Sequence, residues 1–272
     1  ALLTERLLED CAWVGAPEPA VTRPIAPIFA PVERRDLLAE QVEALVAARA
    51  ELLGAGNLEI GEDAEPVILT PAELTSMAGV ILRSLGVPET AGTRQTALEL
   101  AARLPAIFSR SGLRCRRPEG YVPLLSAENV ERLAPLVHLA YQDISAQTDN
   151  ATGSPIAYEM WDGLTEFYRA SNRAVLPGAA VGHAAVGLGW RAAEDPAILP
   201  MTDAEVARLA ELEHRRWAIH QRRNGANDHK WMKPWDGPED ERVSDGAKQY
   251  DHHIARQVIL LLADAGVEVY RS

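Results

Sequence analysis

The chain has 272 residues, 47% of them hydrophobic, and a formal net charge of −12. That length and apolar content allow a large core in one or two domains and exclude a disordered chain. A globally acidic surface argues against non-specific nucleic-acid binding, which needs basic surface. The longest apolar run, Val258 to Ala263, is too short to cross a bilayer, and the opening residues do not read as a basic-then-apolar leader. No membrane segment is expected in this chain. Two cysteines, Cys11 and Cys115, make no disulfide framework, and a cytoplasmic location is the expectation.

Residues 2–12 read as a short helix. Residues 16–31 hold Pro17, Pro19, Pro24, Pro27 and Pro31 and read as an extended linker or wrapping arm. Residues 32–53 are rich in Ala, Leu and Glu with no interior Gly, and predict a long helix stopped by Gly54 and Gly56. Thr70-Pro-Ala-Glu73 is a helix start, with a capping threonine, a first-turn proline and a reciprocal glutamate. Ser126-Ala-Glu-Asn129 and Thr202-Asp-Ala-Glu205 are built alike. Each predicts a helix, a loop and a second helix that stops at a glycine: Gly112, Gly189 and Gly266. Short extended pieces follow at 113–117 and 267–271. The fold class predicted is mainly α, with tandem helix-loop-helix units in a pseudo-two-fold arrangement, short extended segments and added N-terminal helices. The expected divisions are 1–69, a helical region 70–117, unit A at 126–190 and unit B at 202–272. Region 70–117 is either a degenerate copy or ordinary helix grammar.

Units A and B repeat more than their caps. His138 and Tyr141 in the first correspond to His214 and Trp217 in the second, and Trp161-Asp-Gly163 recurs as Trp235-Asp-Gly237. Repetition at this spacing sets the architecture. Residues three apart share a helical face, so each His-aromatic pair acts together. The pair reads chiefly as a device that fixes a helix against its loop, with ligand contact as the other role. The Trp-Asp-Gly turns read as turn chemistry with a core tryptophan, an Asp bonding locally and a Gly of permissive φ.

The stretch from Arg215 to Lys233 is a local charge inversion. It holds Arg215, Arg216, Arg222, Arg223, Lys230 and Lys233 against one acid, Asp228, with Trp217, Trp231 and Trp235 within or beside it. Guanidinium groups fork phosphates and aromatic faces stack on bases, a combination suited to a nucleotide-like anion. The plainer reading is a helix C-terminus dressed with cations that suit its dipole, its tryptophans in the core. Arg216 and Arg223 nearly align on a 3.6-residue helix, so these two are expected to act together, with Arg215 and Arg222 as weaker candidates. The expected ligand-binding set is Arg216, Arg223, Trp217, Trp235 and Lys233, joined across the units by Trp161, Asn172 and Arg173. No metal-binding spacing, nucleophile elbow, Walker loop or dinucleotide turn occurs, so no catalytic residue, metal or cofactor is expected, and an enzyme is not.

Unit B resembles the ryanodine receptor repeat, or RyR, domain. The resemblance rests on His214-Arg-Arg-Trp217, Lys233-Pro-Trp235, Lys248-Gln-Tyr-Asp251 and Gly266. Unit A resembles a divergent sister through His138-Leu-Ala-Tyr141, Trp161-Asp-Gly-Leu164 and Ser171-Asn-Arg173. The likeness covers residues 126–272, about half the chain. Two departures stand out: Asn224-Gly-Ala-Asn227 where the family has Gly-Trp and Tyr-Gly, and His252 where it has an arginine. The resemblance implies non-catalytic sensing of a small nucleotide-derived ligand, because a tandem pair in the calcium-release channels looks like an adenine-nucleotide site. Prokaryotic relatives sit beside nucleotide-binding or signalling domains, which implies a role in bacterial signalling or phage defence. A homo-oligomer, or an upstream or partner effector domain, fits that role. The reading from a different class is a protein-interaction scaffold with no small ligand.

Overall fold

In a computed structural model, the described residues are 59–60, 67–84, 86–110, 115–116, 121–147, 159–223 and 230–271. The segments read above as 2–12, 16–31 and 32–53 lie outside them, as do Gly112 and the 224–227 loop. The chain divides into two compact units, Ala1–Val122 and Pro123–Ser272. Among the described residues the protein is mainly α, and no helix is long and apolar enough to cross a membrane.

In the first unit, α1 (Pro71–Ser84) and α2 (Ala91–Arg110) pack on each other. Thr70 closes the start of α1 as its sequence predicts. Its N–H donates to Glu73 Oε2 at 2.8 Å, and Glu73 N–H returns to Thr70 Oγ1 at 3.3 Å. The extended piece expected at 113–117 is β2 (Cys115–Arg116), paired antiparallel with β1 (Glu59–Ile60).

The second unit contains the repeat. One copy is α3 (Ala127–Gln147), a 3-10 turn (Trp161–Gly163), α4 (Glu166–Arg173), α5 (Val175–Ala185) and β3 (Leu188–Ala192). The other is α6 (Asp203–Arg223), a 3-10 turn (Lys230–Met232), α7 (Asp245–Asp264) and β4 (Val267–Arg271). Ser126 and Thr202 cap their helices by accepting from Asn129 N–H at 3.0 Å and Glu205 N–H at 3.2 Å. The copies are cross-packed, α3 on α7 and α5 on α6. Leu133, Val137, Leu176, Ala180, Ile254 and Leu262 are buried among these helices. Burying each Leu or Ile stabilises the fold by about 1.5–3 kcal/mol relative to leaving it exposed.

The glycine that ends the second helix of unit A is Gly187, two residues before the Gly189 expected. Gly187 and Gly266 have φ of +78° and +75°, a region that favours glycine. Gly189 lies inside β3, where a Cβ would come within 2.6 Å of the Tyr270 ring. β3 and β4 run antiparallel, with Trp190 opposite Val269. Those two residues follow their turn glycines by the same three positions, so the pseudo-dyad passes between them. The second helix of unit A is also broken, which the sequence reading did not expect. Pro177 has no N–H to offer the Arg173 carbonyl, and α4 gives way to α5 at Ala174.

Candidate functional site

The repeated histidines hold their loops in the same way. His138 Nε2 lies 2.7 Å from the Glu159 carbonyl oxygen, and His214 Nε2 lies 2.9 Å from that of Lys233. A carbonyl oxygen only accepts, so both Nε2 atoms carry hydrogen and donate. Each carbonyl is two residues before a Trp-Asp-Gly tryptophan. Trp161 packs on His138 at 6.3 Å between ring centroids, and Trp235 on His214 at 5.4 Å. The turns themselves differ. Gly237 takes a positive φ of 137°, whereas Gly163 does not, and Gly163 N–H closes its turn on the Met160 carbonyl at 2.9 Å. The permissive-φ expectation therefore holds only in unit B.

Around these shared pairs, unit B adds charge. Arg216 forks Glu213, with Nε to Oε2 at 2.7 Å and Nη2 to Oε1 at 2.6 Å. The Tyr141 hydroxyl of unit A donates to the same Oε1 at 3.2 Å, tying the copies together. The Arg216 and Glu213 side chains are only 16% and 9% exposed. Burial works against the Arg216 charge, but the Glu213 carboxylate outweighs it and raises the guanidinium pKa. Burial and Glu213 together push the Tyr141 hydroxyl well above its usual range. Arg216 Nη1 is buried with no hydrogen-bond partner among the described residues.

His214 Nδ1 lies 3.2 Å from Asp251 Oδ2. Burial pushes Asp251 up to about 6, held lower than burial alone would set it by His214. Burial would lower His214, and Asp251 reverses this to a raised pKa. Both ring nitrogens of His214 thus face protein partners, and the Asp251 carboxylate favours the doubly protonated ring. Trp217 stacks on the His214 ring at 6.3 Å and 29°. Lys248 Nζ lies 4.7 Å over the Trp235 ring, a cation-π contact.

Unit A supplies the other wall. Gly178 of α5 faces Arg216, where an added Cβ would come within 2.5 Å of Arg216 Cδ. A cavity of about 30 Å³ lies between α5, α6 and α7, with Gly178, Gly182, His183, Leu209 and Glu213 among its lining residues. That is room for one or two water molecules. His183 is buried, and its Nδ1 accepts the Trp190 indole N–H at 2.7 Å. Burial lowers its pKa to about 4.

The sequence candidates fall into two sets. Arg216, Trp217, Trp235 and Lys233 gather around His214 in unit B. Lys233 contributes its carbonyl there and sends Nζ to the Asp240 carbonyl at 2.5 Å. Trp161 packs at His138, while Arg173 is held by Glu131 and Glu166 at 2.7 and 2.5 Å. Asn172 is buried and stands where the repeat places Asp251. None of the eight candidates lines the cavity between α5, α6 and α7. The side chain of Arg223 lies outside the described residues, as does that of Lys230. Arg222 donates to the Met232 carbonyl at 3.2 Å. Glu213 and Gly178 were not singled out in the sequence. The signal for Glu213 was present: an acid where the repeat gives unit A Val137.

Comparison with protein-family models, with curated proteins and with solved structures finds no match. The chemistry of the site therefore rests on its own geometry. Among the described residues, no group of three His, Cys, Asp or Glu side chains is placed to hold a metal ion.

Proposed function

We propose that residues 126–272 form a tandem RyR-like module that binds a small, anionic, nucleotide-derived molecule without transforming it. The site is the seam between the copies. Arg216 receives the anionic group, and Tyr141 and Trp217, at equivalent places in the two units and both half-buried, flank the aromatic part. The observation that carries this reading is Arg216 Nη1. A guanidinium nitrogen buried without a partner among the described residues is costly, and an acceptor from a ligand would complete it. Trp235, Lys233 and Asp251 support the site by fixing His214, on which Trp217 stacks.

Thermal shift and calorimetry with ATP, ADP-ribose, NAD and cyclic nucleotides test this reading, because a ligand that binds only the folded state raises its stability. Arg216→Lys keeps a cation for Glu213 but removes the fork. It should melt near wild type and bind at least roughly tenfold more weakly, the loss of one charge-assisted hydrogen bond. No response of wild type to any of these nucleotides would favour the second reading, a protein-docking scaffold. That reading draws on Leu136, Leu139 and Leu260, which are exposed on α3 and α7. Those two helices run antiparallel, with Arg132 paired to Asp264 at one end and His253 Nε2 3.7 Å from Asp143 Oδ2 toward the other.

A further inference from the structure

We propose that Glu213 is a built-in competitor for the ligand: its carboxylate holds Arg216 Nε and Nη2, so an anionic group that forks Nη1 together with Nη2 must displace it. This rests on the reading of the seam as a small-anion site and adds how that site is regulated.

Three observations lead there. The first is that the fold does not need the pair. In unit A the equivalent positions are Val137 and Ala140, and α3 folds and packs with no charge at either. A buried ion pair is seldom more stable than apolar packing of similar volume, so stability is a weak reason for having one. The second is its shape. Two parallel N–H···O bonds to Glu213 use Nε and Nη2, the geometry by which a guanidinium also forks a phosphate, and they leave Nη1 unmatched. The third is room to move. Glu213 lines the cavity of about 30 Å³, so the space beside its side chain is not filled by packing. Gly178, on the same wall, touches Arg216 Cδ and limits the movement of the guanidinium stem.

Displacement has a consequence beyond the site. The Tyr141 hydroxyl reaches across the seam to Glu213 Oε1. When Glu213 leaves Arg216, that bond between the copies is lost too, so occupancy is reported to α3. The closed pair also lowers apparent affinity, because only the fraction of molecules with Arg216 free can bind.

Calorimetry with ATP on wild type, Glu213→Gln, Tyr141→Phe and Glu211→Gln tests this. Glu213→Gln keeps size and shape but gives up the charge that holds Arg216, and should bind ATP at least tenfold more tightly. Tyr141→Phe removes only the hydroxyl that steadies Glu213, and should bind a few-fold more tightly. Glu211→Gln, on the same helix but paired with Arg208, measures the general effect of removing one negative charge and should stay near wild type. Melting curves establish that each variant is folded, and Tyr141→Phe carries the test if Glu213→Gln is not. Binding by Glu213→Gln with none by wild type would be the strongest support. Equal or weaker binding by both Glu213→Gln and Tyr141→Phe, beside wild type that binds, would overturn the competitor and leave the small-anion site standing. Equal tightening by Glu211→Gln would also overturn it. Absence of ATP, ADP-ribose, NAD and cyclic-nucleotide binding in all four proteins would overturn both.

Discussion

Unit A and unit B share a scaffold and differ in what they bury at its centre. Both have a His-aromatic pair, a loop carbonyl fixed by histidine Nε2, a tryptophan packed on that histidine and a terminal glycine of positive φ. Beyond this, unit A has Val137, Ala140 and Asn172 where unit B has Glu213, Arg216 and Asp251. At the far end of the second helix the contrast reverses. Unit A buries the polar pair His183–Trp190, and unit B buries Leu262 and Val269 at the same places. The shared part is what the fold requires. The unshared part is buried, with its charged groups in unit B at one end and its polar pair in unit A at the other, so it is where selection for something other than folding is to be sought.

The largest expected effect comes from making unit B half like unit A. Arg216→Ala leaves Glu213 buried without its cation and should destabilise by about 3–5 kcal/mol. Adding Glu213→Val completes the conversion to the Val137/Ala140 arrangement. The double variant should recover most of that loss, since apolar replacement of a buried pair is often neutral or stabilising. Urea denaturation of both variants measures it. A double variant as unstable as Arg216→Ala would mean that the two copies are not equivalent in packing.

A somewhat smaller effect separates the far ends by pH. His183 is held neutral in the fold, with its pKa lowered to about 4 from an ordinary 6.5. Its contribution is therefore present above pH 6.5 and is lost as pH falls toward 4, up to about 3 kcal/mol in all. The Asp251–His214 pair has the opposite sign. Both groups have raised pKa values, so their contribution is present at low pH and lost as pH rises through about 6 and above. Denaturation between pH 4 and 8 should show His183→Leu, which copies Leu262, less sensitive to acid than wild type. A variant with the wild-type pH slope would place the acid-sensitive group elsewhere.

Much of the scaffold was legible in the chain because its signals are local. Thr70, Ser126 and Thr202 declare their helices through a partner three residues on. The repeat could be aligned because His138, Tyr141 and Trp161 keep their order against His214, Trp217 and Trp235. The stop at Gly187 was missed because Gly187 and Gly189 are alike in sequence, and only pairing with β4 tells the turn from the strand. The β1–β2 bridge joins residues 55 or more apart and leaves no periodic trace. Pro177 is a local signal of the break between α4 and α5, since it offers no N–H to the Arg173 carbonyl. At the site, helical spacing put Arg216 on a face but could not say what met it. The answer, Glu213 on the same helix and Gly178 on another, depends on tertiary packing.

The most direct measurement is a crystal structure of the protein soaked with whichever of ATP, ADP-ribose, NAD or a cyclic nucleotide raises its melting temperature most. The account predicts the nucleotide in the seam, an anionic oxygen on Arg216, its aromatic ring between Tyr141 and Trp217, and Glu213 turned away from the guanidinium. A nucleotide bound elsewhere, with the Glu213–Arg216 fork and the Tyr141 hydrogen bond intact, would contradict it.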